Sequence, residues 1–100
     1  MTTVAQYVKT AVERKRYIID YTDWLDLGET VVSMVFNTLN TPPVAGQIVC
    51  DAYAIDAGGL FVTYYVSAGN NGETDVLEVL ATTSGGQVKE DNIVFVVQDT

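Results

Sequence analysis

Turn signals recur roughly every ten residues along this chain, and between them lie short β-branched and aromatic runs that alternate from face to face. Asn40-Thr-Pro-Pro43, Asp56-Ala-Gly-Gly59, Asn70-Asn-Gly72 and Ser84-Gly-Gly86 are the breaks. Proline removes a ladder donor and keeps its predecessor extended, while glycine and asparagine tolerate the positive φ of tight turns. Between them run residues 30–39, 47–55, 60–67, 74–83 and 91–98, preceded by a shorter run at 17–19. Spacing of this kind predicts an all-β chain of about six to seven antiparallel strands. Two sheets packed face to face would bury the apolar positions, and at this length the immunoglobulin-like β-sandwich is the default.

Alternation assigns the core. Val32, Met34 and Phe36 share one face, as do Ile48, Cys50 and Ala52, with Val49, Asp51 and Tyr53 opposite. Val62, Tyr64 and Val66, then Leu77, Val79 and Ala81, then Ile93, Phe95 and Val97 extend the inward set. Asp75, Glu78 and Thr82 are expected to meet water or a partner, and Tyr17 and Tyr64 to be core.

The segment Asp20-Tyr-Thr-Asp-Trp-Leu-Asp-Leu-Gly-Glu-Thr30 stands apart. It joins two strand-like runs, is dense in acids, and carries the chain's single tryptophan. Asp23 could cap one helical turn by accepting a backbone N–H, and Gly28 could close it with positive φ. The segment then reads as a plug that aims Trp24 and Leu25 inward.

One hundred residues, 48% of them apolar, make one domain large enough for a genuine core. The charge is segregated. Lys9, Arg14, Lys15 and Arg16 against Glu13 give residues 1–16 a net +3, whereas Lys89 against twelve acids gives residues 17–100 a net −11. An acidic body argues against a nucleic-acid partner. Residues 1–15 are therefore expected to be an N-terminal arm, extended or ordered on contact, with residues 16–100 the sandwich. Lys9, Arg14, Lys15 and Arg16, with Tyr7, would dock that arm on an acidic neighbour, another copy of the body included. No apolar run approaches the ~20 residues that span a bilayer, so no membrane partner is expected. The opening residues carry no secretory signal, and the unpaired Cys50 suits a reducing compartment, so synthesis is expected in the cytoplasm.

Catalytic signals are missing. The chain has no histidine, the commonest general base. Cys50, flanked in phase by Ile48 and Ala52, reads as a small buried hydrophobe. Asp23, Asp26 and Glu29 match no defensible metal-loop spacing, and the paired glycines open no helix that would cradle a phosphate. Neither an enzyme, a metal nor a cofactor is expected. Binding by surface remains, with Tyr53 and Tyr65 as candidate contacts because tyrosine combines area with a polar handle.

The order Arg16-Tyr-Ile-Ile-Asp20-Tyr-Thr-Asp-Trp24-Leu-Asp-Leu-Gly28-Glu-Thr30-Val resembles the opening motif of the fiber-tail adaptors of tailed bacteriophages. Ala81-Thr-Thr-Ser-Gly-Gly86 and Asp91-Asn-Ile-Val-Phe-Val-Val97 resemble the late turn and closing strand of the same family. The likeness spans residues 16–98, and it departs from the family pattern at Thr74-Asp75-Val76, where a tyrosine is usual. It implies an immunoglobulin-like virion structural protein that attaches tail fibres to the tail or neck, in rings of identical copies. Its partners would be other tail or neck proteins and the fibre. An alternative is a capsid-decorating or carbohydrate-binding sandwich that presents Tyr53, Phe61 and Tyr65 to sugar rings.

Overall fold

The computed structural model describes residues 2–40 and 45–99; the proline stop at Thr41-Pro-Pro43 lies outside them. Seven strands form: β1 Thr2–Lys9, β2 Lys15–Asp20, β3 Val31–Thr38, β4 Val49–Ile55, β5 Phe61–Ser67, β6 Thr74–Thr83 and β7 Val88–Val97. One sheet has four strands in the order β1-β7-β6-β3 and the other three, β2-β5-β4. This is the all-β sandwich that the alternating runs predict, and among the described residues there is no helix.

The core lies between the sheets. From the first sheet come Val31, Met34, Leu77, Val79, Ala81, Ile93, Phe95 and Val97; from the second come Tyr17, Val62, Tyr64 and Val66. Its centre is aromatic: Tyr17 stacks on Tyr64 at 5.5 Å between centroids and meets Phe95 edge-on at 5.2 Å. Such pairs each add about 0.5–1.5 kcal/mol beyond their burial.

Four expectations need correction. The first concerns residues 1–15. Thr2–Lys9 is not a separate arm but a strand of the sandwich, paired with β7 from Thr2↔Asp91 to Lys9↔Val97. That pairing is parallel, so the sandwich is not wholly antiparallel, and the boundary set after residue 15 falls at the start of β2. The inward series Ala5, Tyr7, Lys9 has the period of two that a strand requires, but a lysine at the last position disguises it.

The other three concern single faces. A bulge between Val31 and Ser33 turns Val31 and Met34 inward and leaves Val32 exposed. A second bulge between Cys50 and Ala52 moves Ala52 outward and sets Tyr53 opposite Tyr64, where on this edge strand it stays 46% exposed. Asp75 shares the phase of Leu77 and is buried, where it accepts hydrogen bonds from Ile48 N–H (3.2 Å) and Asn40 Nδ2 (3.0 Å).

Candidate functional site

The signature segment builds one end of the sandwich. Asp20, rather than Asp23, caps it, accepting from Thr22 N–H at 2.9 Å. A single turn follows as Trp24 and Leu25 N–H both donate to Tyr21 C=O at 3.0 Å, and a second turn, closed by Glu29 N–H on Asp26 C=O at 2.9 Å, holds Gly28 at φ +80°. Tyr21 is the deeply buried plug residue, while Trp24 and Leu25 are half-buried and pack against the core. The Trp24 ring covers the Lys89 ammonium at 5.8 Å, and Lys89 pairs with buried Asp91 at 2.6 Å.

The late turn locks onto this segment. Thr83 Oγ1 donates to Glu29 Oε2 at 2.6 Å, Thr30 N–H to Ser84 Oγ at 3.1 Å, and Ser84 N–H back to Thr30 C=O at 2.8 Å. Gln87 Nε2 reaches Asp26 Oδ2 at 2.8 Å. The two motifs, more than fifty residues apart, are thus halves of one clasp. Asp20, Asp26 and Glu29 are spent on holding the fold, and among the described residues no three metal-ligating side chains converge. Beside the clasp lies an open groove of about 580 Å³, lined by Leu25, Leu60 and the fully exposed Leu27.

The basic residues separate into three environments. Lys9 is 1% exposed, its ammonium donating to the carbonyls of Thr10 (2.6 Å) and Ala68 (2.5 Å), so it is not available to a partner. Burial pushes its pKa below the ordinary value, only partly offset by Glu13 and Asp99. Arg14 clamps Asp51, with Nε at 2.9 Å and Nη2 at 2.8 Å, and lies 4.2 Å above the Tyr65 ring. Ser67 Oγ completes that network at 2.7 Å, and the bonds from Arg14 and Ser67 hold the Asp51 carboxyl below its usual range. Lys15 and Arg16 are exposed and make no ion pair among the described residues.

Tyr7 is half-buried against Tyr17 at 4.6 Å, so it contributes to the core rather than to a free surface. Tyr53 turns back to Phe36 at 5.5 Å, Tyr65 lies under Arg14, and Phe61 stands four residues before Tyr65 at the start of β5. These aromatics do not form the flat platform that sugar stacking requires. Cys50 is half-buried, and burial raises its thiol pKa, so it is not an activated nucleophile.

The surface that alternation missed is the outer face of the four-stranded sheet. Register sets its rows: Val8 beside Val96; Gln6, Val94 and Val76; Asn92, Glu78 and Asn37; Glu90, Leu80 and Val35; Val88, Thr82 and Ser33. Leu39 borders Val76 through its N–H to the Val76 carbonyl at 2.8 Å. Val8, Val88 and Val35 are 63%, 62% and 51% exposed, on a face where a solvated sheet would carry polar side chains. The unbroken run Ile93-Val-Phe-Val-Val97 was the available signal, since a strand apolar on both faces reads as one meant to be covered twice. In the middle of this face, Glu78 hydrogen-bonds and repels Glu90 and so raises the Glu90 pKa.

A family model described as the podophage GP4 fiber-tail adaptor protein gp77 matches residues 9–96. The chain belongs to this fiber-tail adaptor family. The match takes in both halves of the clasp and the strands from β2 to β7, and leaves out all of β1 but Lys9. No characterised protein matches the chain at a significant level. The family is one of phage structural proteins, which places this adaptor with components of the tail.

Proposed function

We propose that this adaptor is a virion protein that joins fibres to the tail or neck by protein–protein contacts, as one of a ring of identical copies. It would be made in the host cytoplasm and act without catalysis, cofactor, nucleic acid or membrane. The observation that carries this reading is the apolar outer face of the β1-β7-β6-β3 sheet. Exposed aliphatic side chains on both sides of the polar row Asn92-Glu78-Asn37 mark a protein contact. The grouping of β2-β5-β4 against β7-β6-β3 is that of strands B-E-D and G-F-C in immunoglobulin-like domains, and we read the sandwich as one of these.

The mechanism is geometric. A sandwich 43 Å long, held at one end by the clasp and stitched along β1, is a rigid spacer. Many copies turn individually weak contacts into a durable joint through effective concentration. Attachment by a loose arm gives way to attachment by the faces of the folded domain. Tail particles assembled with and without this protein test the reading: fibres should attach only when it is present. Equal fibre attachment without it would refute the adaptor role.

A further inference from the structure

We infer that the outer face carrying Glu78 and Glu90 is covered by a second copy of this chain, which presents the Arg16–Ile18 face of its β2 with Lys15 at the head of that strand. The inference rests on the ring reading above and names the contact that would build the ring.

Two patches on one molecule fit each other and not themselves. The first is aliphatic, with Val35, Leu80, Val94 and Val96 around two carboxylates that make no ion pair among the described residues, the N-terminal charge being the least of the influences on Glu90. Glu78 has only the Asn37 amide, at 3.3 Å, and its neighbour Glu90 is a like charge. Covering that pair with an apolar or acidic surface would bury uncompensated charge, so the occupant must bring basic groups. The second patch lies on the other sheet. There Arg16 stands beside Tyr65 and Ala52, and Ile18 beside Thr63 and Ala54, giving a shallow, semi-apolar face.

Lys15 and Arg16 are the cations at that edge that make no ion pair among the described residues, Lys15 feeling only the charge of Glu13, because Lys9 is buried, Arg14 is clamped to Asp51, and Lys89 is paired with Asp91. The basic patch of one copy therefore supplies what the acidic, aliphatic patch of the next lacks. Patches that differ and sit on opposite sheets cannot make a two-fold dimer. They make a head-to-tail contact, which closes into a ring when each copy is rotated relative to the last.

The test is incorporation into virions, measured as copies of this protein per particle. Glu78→Lys with Glu90→Lys should lower incorporation at least about tenfold, as should Lys15→Glu with Arg16→Glu, because each sets like charges face to face. All four substitutions in one chain restore complementarity with the signs exchanged, and should return incorporation to within about threefold of wild type. Circular dichroism of each purified variant separates loss of contact from loss of fold. Wild-type incorporation by either double variant would overturn the inference, and so would failure of the well-folded quadruple variant to recover. A wild-type virion holding a single copy would instead refute the ring reading itself.

Discussion

Lys9 separates two accounts of the N-terminal segment, because an arm residue would tolerate truncation and a core residue would not. Replacing Lys9 by alanine removes three methylenes from a site that is 1% exposed, worth about 2.4 kcal/mol at ~0.8 kcal/mol each. It also leaves the Ala68 carbonyl without its donor, at about 1–3 kcal/mol. Relief of the buried ammonium offsets roughly 1 kcal/mol of this, so the net loss is about 3–4 kcal/mol. In a domain of this size each kcal/mol lowers Tm by about 4–8 °C, which puts Lys9→Ala some 15–25 °C below wild type. Lys9→Met keeps the stem and loses only the hydrogen bonds, at about 1–2 kcal/mol. Urea melts followed by Trp24 fluorescence measure both. A Lys9→Ala midpoint within ~0.5 kcal/mol of wild type, the range of ordinary surface substitutions, would refute the placement of β1 in the sandwich.

Four further outcomes follow from the same geometry. Asp75→Ala should cost about 2–4 kcal/mol by orphaning the Ile48 N–H and leaving the Asn40 amide with Gln47 Oε1 alone, and Asp75→Asn, which keeps one acceptor, about half as much; denaturant melts decide. Gly59→Ala should cost about 2–4 kcal/mol, because Gly59 has φ +71° and a Cβ there would sit 2.5 Å from the Thr30 Cβ. In a double-mutant cycle Glu29→Gln and Thr83→Val should couple by about 1–2 kcal/mol, since the charge-assisted bond between them closes the clasp; additive melts would contradict this. At high pH, Tyr21 and Tyr64 are held protonated by burial well above their ordinary value of 10.0. The unfolded chain then loses protons that the native state keeps, so stability falls as pH rises past about 10. Lys9 has the opposite sign, because its folded pKa is depressed: its contribution grows as pH rises toward 10.5 and should vanish in Lys9→Met. In difference spectra against Tyr21→Phe and Tyr64→Phe, the tyrosinate absorbance of these two groups should therefore appear in one cooperative step at unfolding; a gradual rise through pH 10 in those differences would contradict their burial.

The strands from 74 to 83 and 91 to 97 were legible because inward positions repeat every second residue without interruption, as Leu77, Val79 and Ala81 do. Where a bulge adds a residue, as at Val32 or between Cys50 and Ala52, simple alternation assigns the wrong face, and Tyr53 was misplaced for that reason. β1 was hidden by chemistry rather than by period: a lysine in a core position reads as surface until two carbonyls are found around it. The clasp was half legible. Its two motifs were apparent, but only the fold brings Glu29 to Thr83 and Thr30 to Ser84. The outer sheet face is obscure in the sequence because its signal is plain valine at positions that an exposed strand would give to polar residues.

The account rests on the outer face of the four-stranded sheet being an interface. Electron cryo-microscopy of the intact virion tests this most directly, at a resolution that places side chains around Val94 and Glu78. The account predicts a ring of copies between tail and fibre in which that face is buried and Glu78 meets a basic residue of the neighbouring copy. A ring in which Val94, Leu80 and Glu78 face open solvent would contradict it.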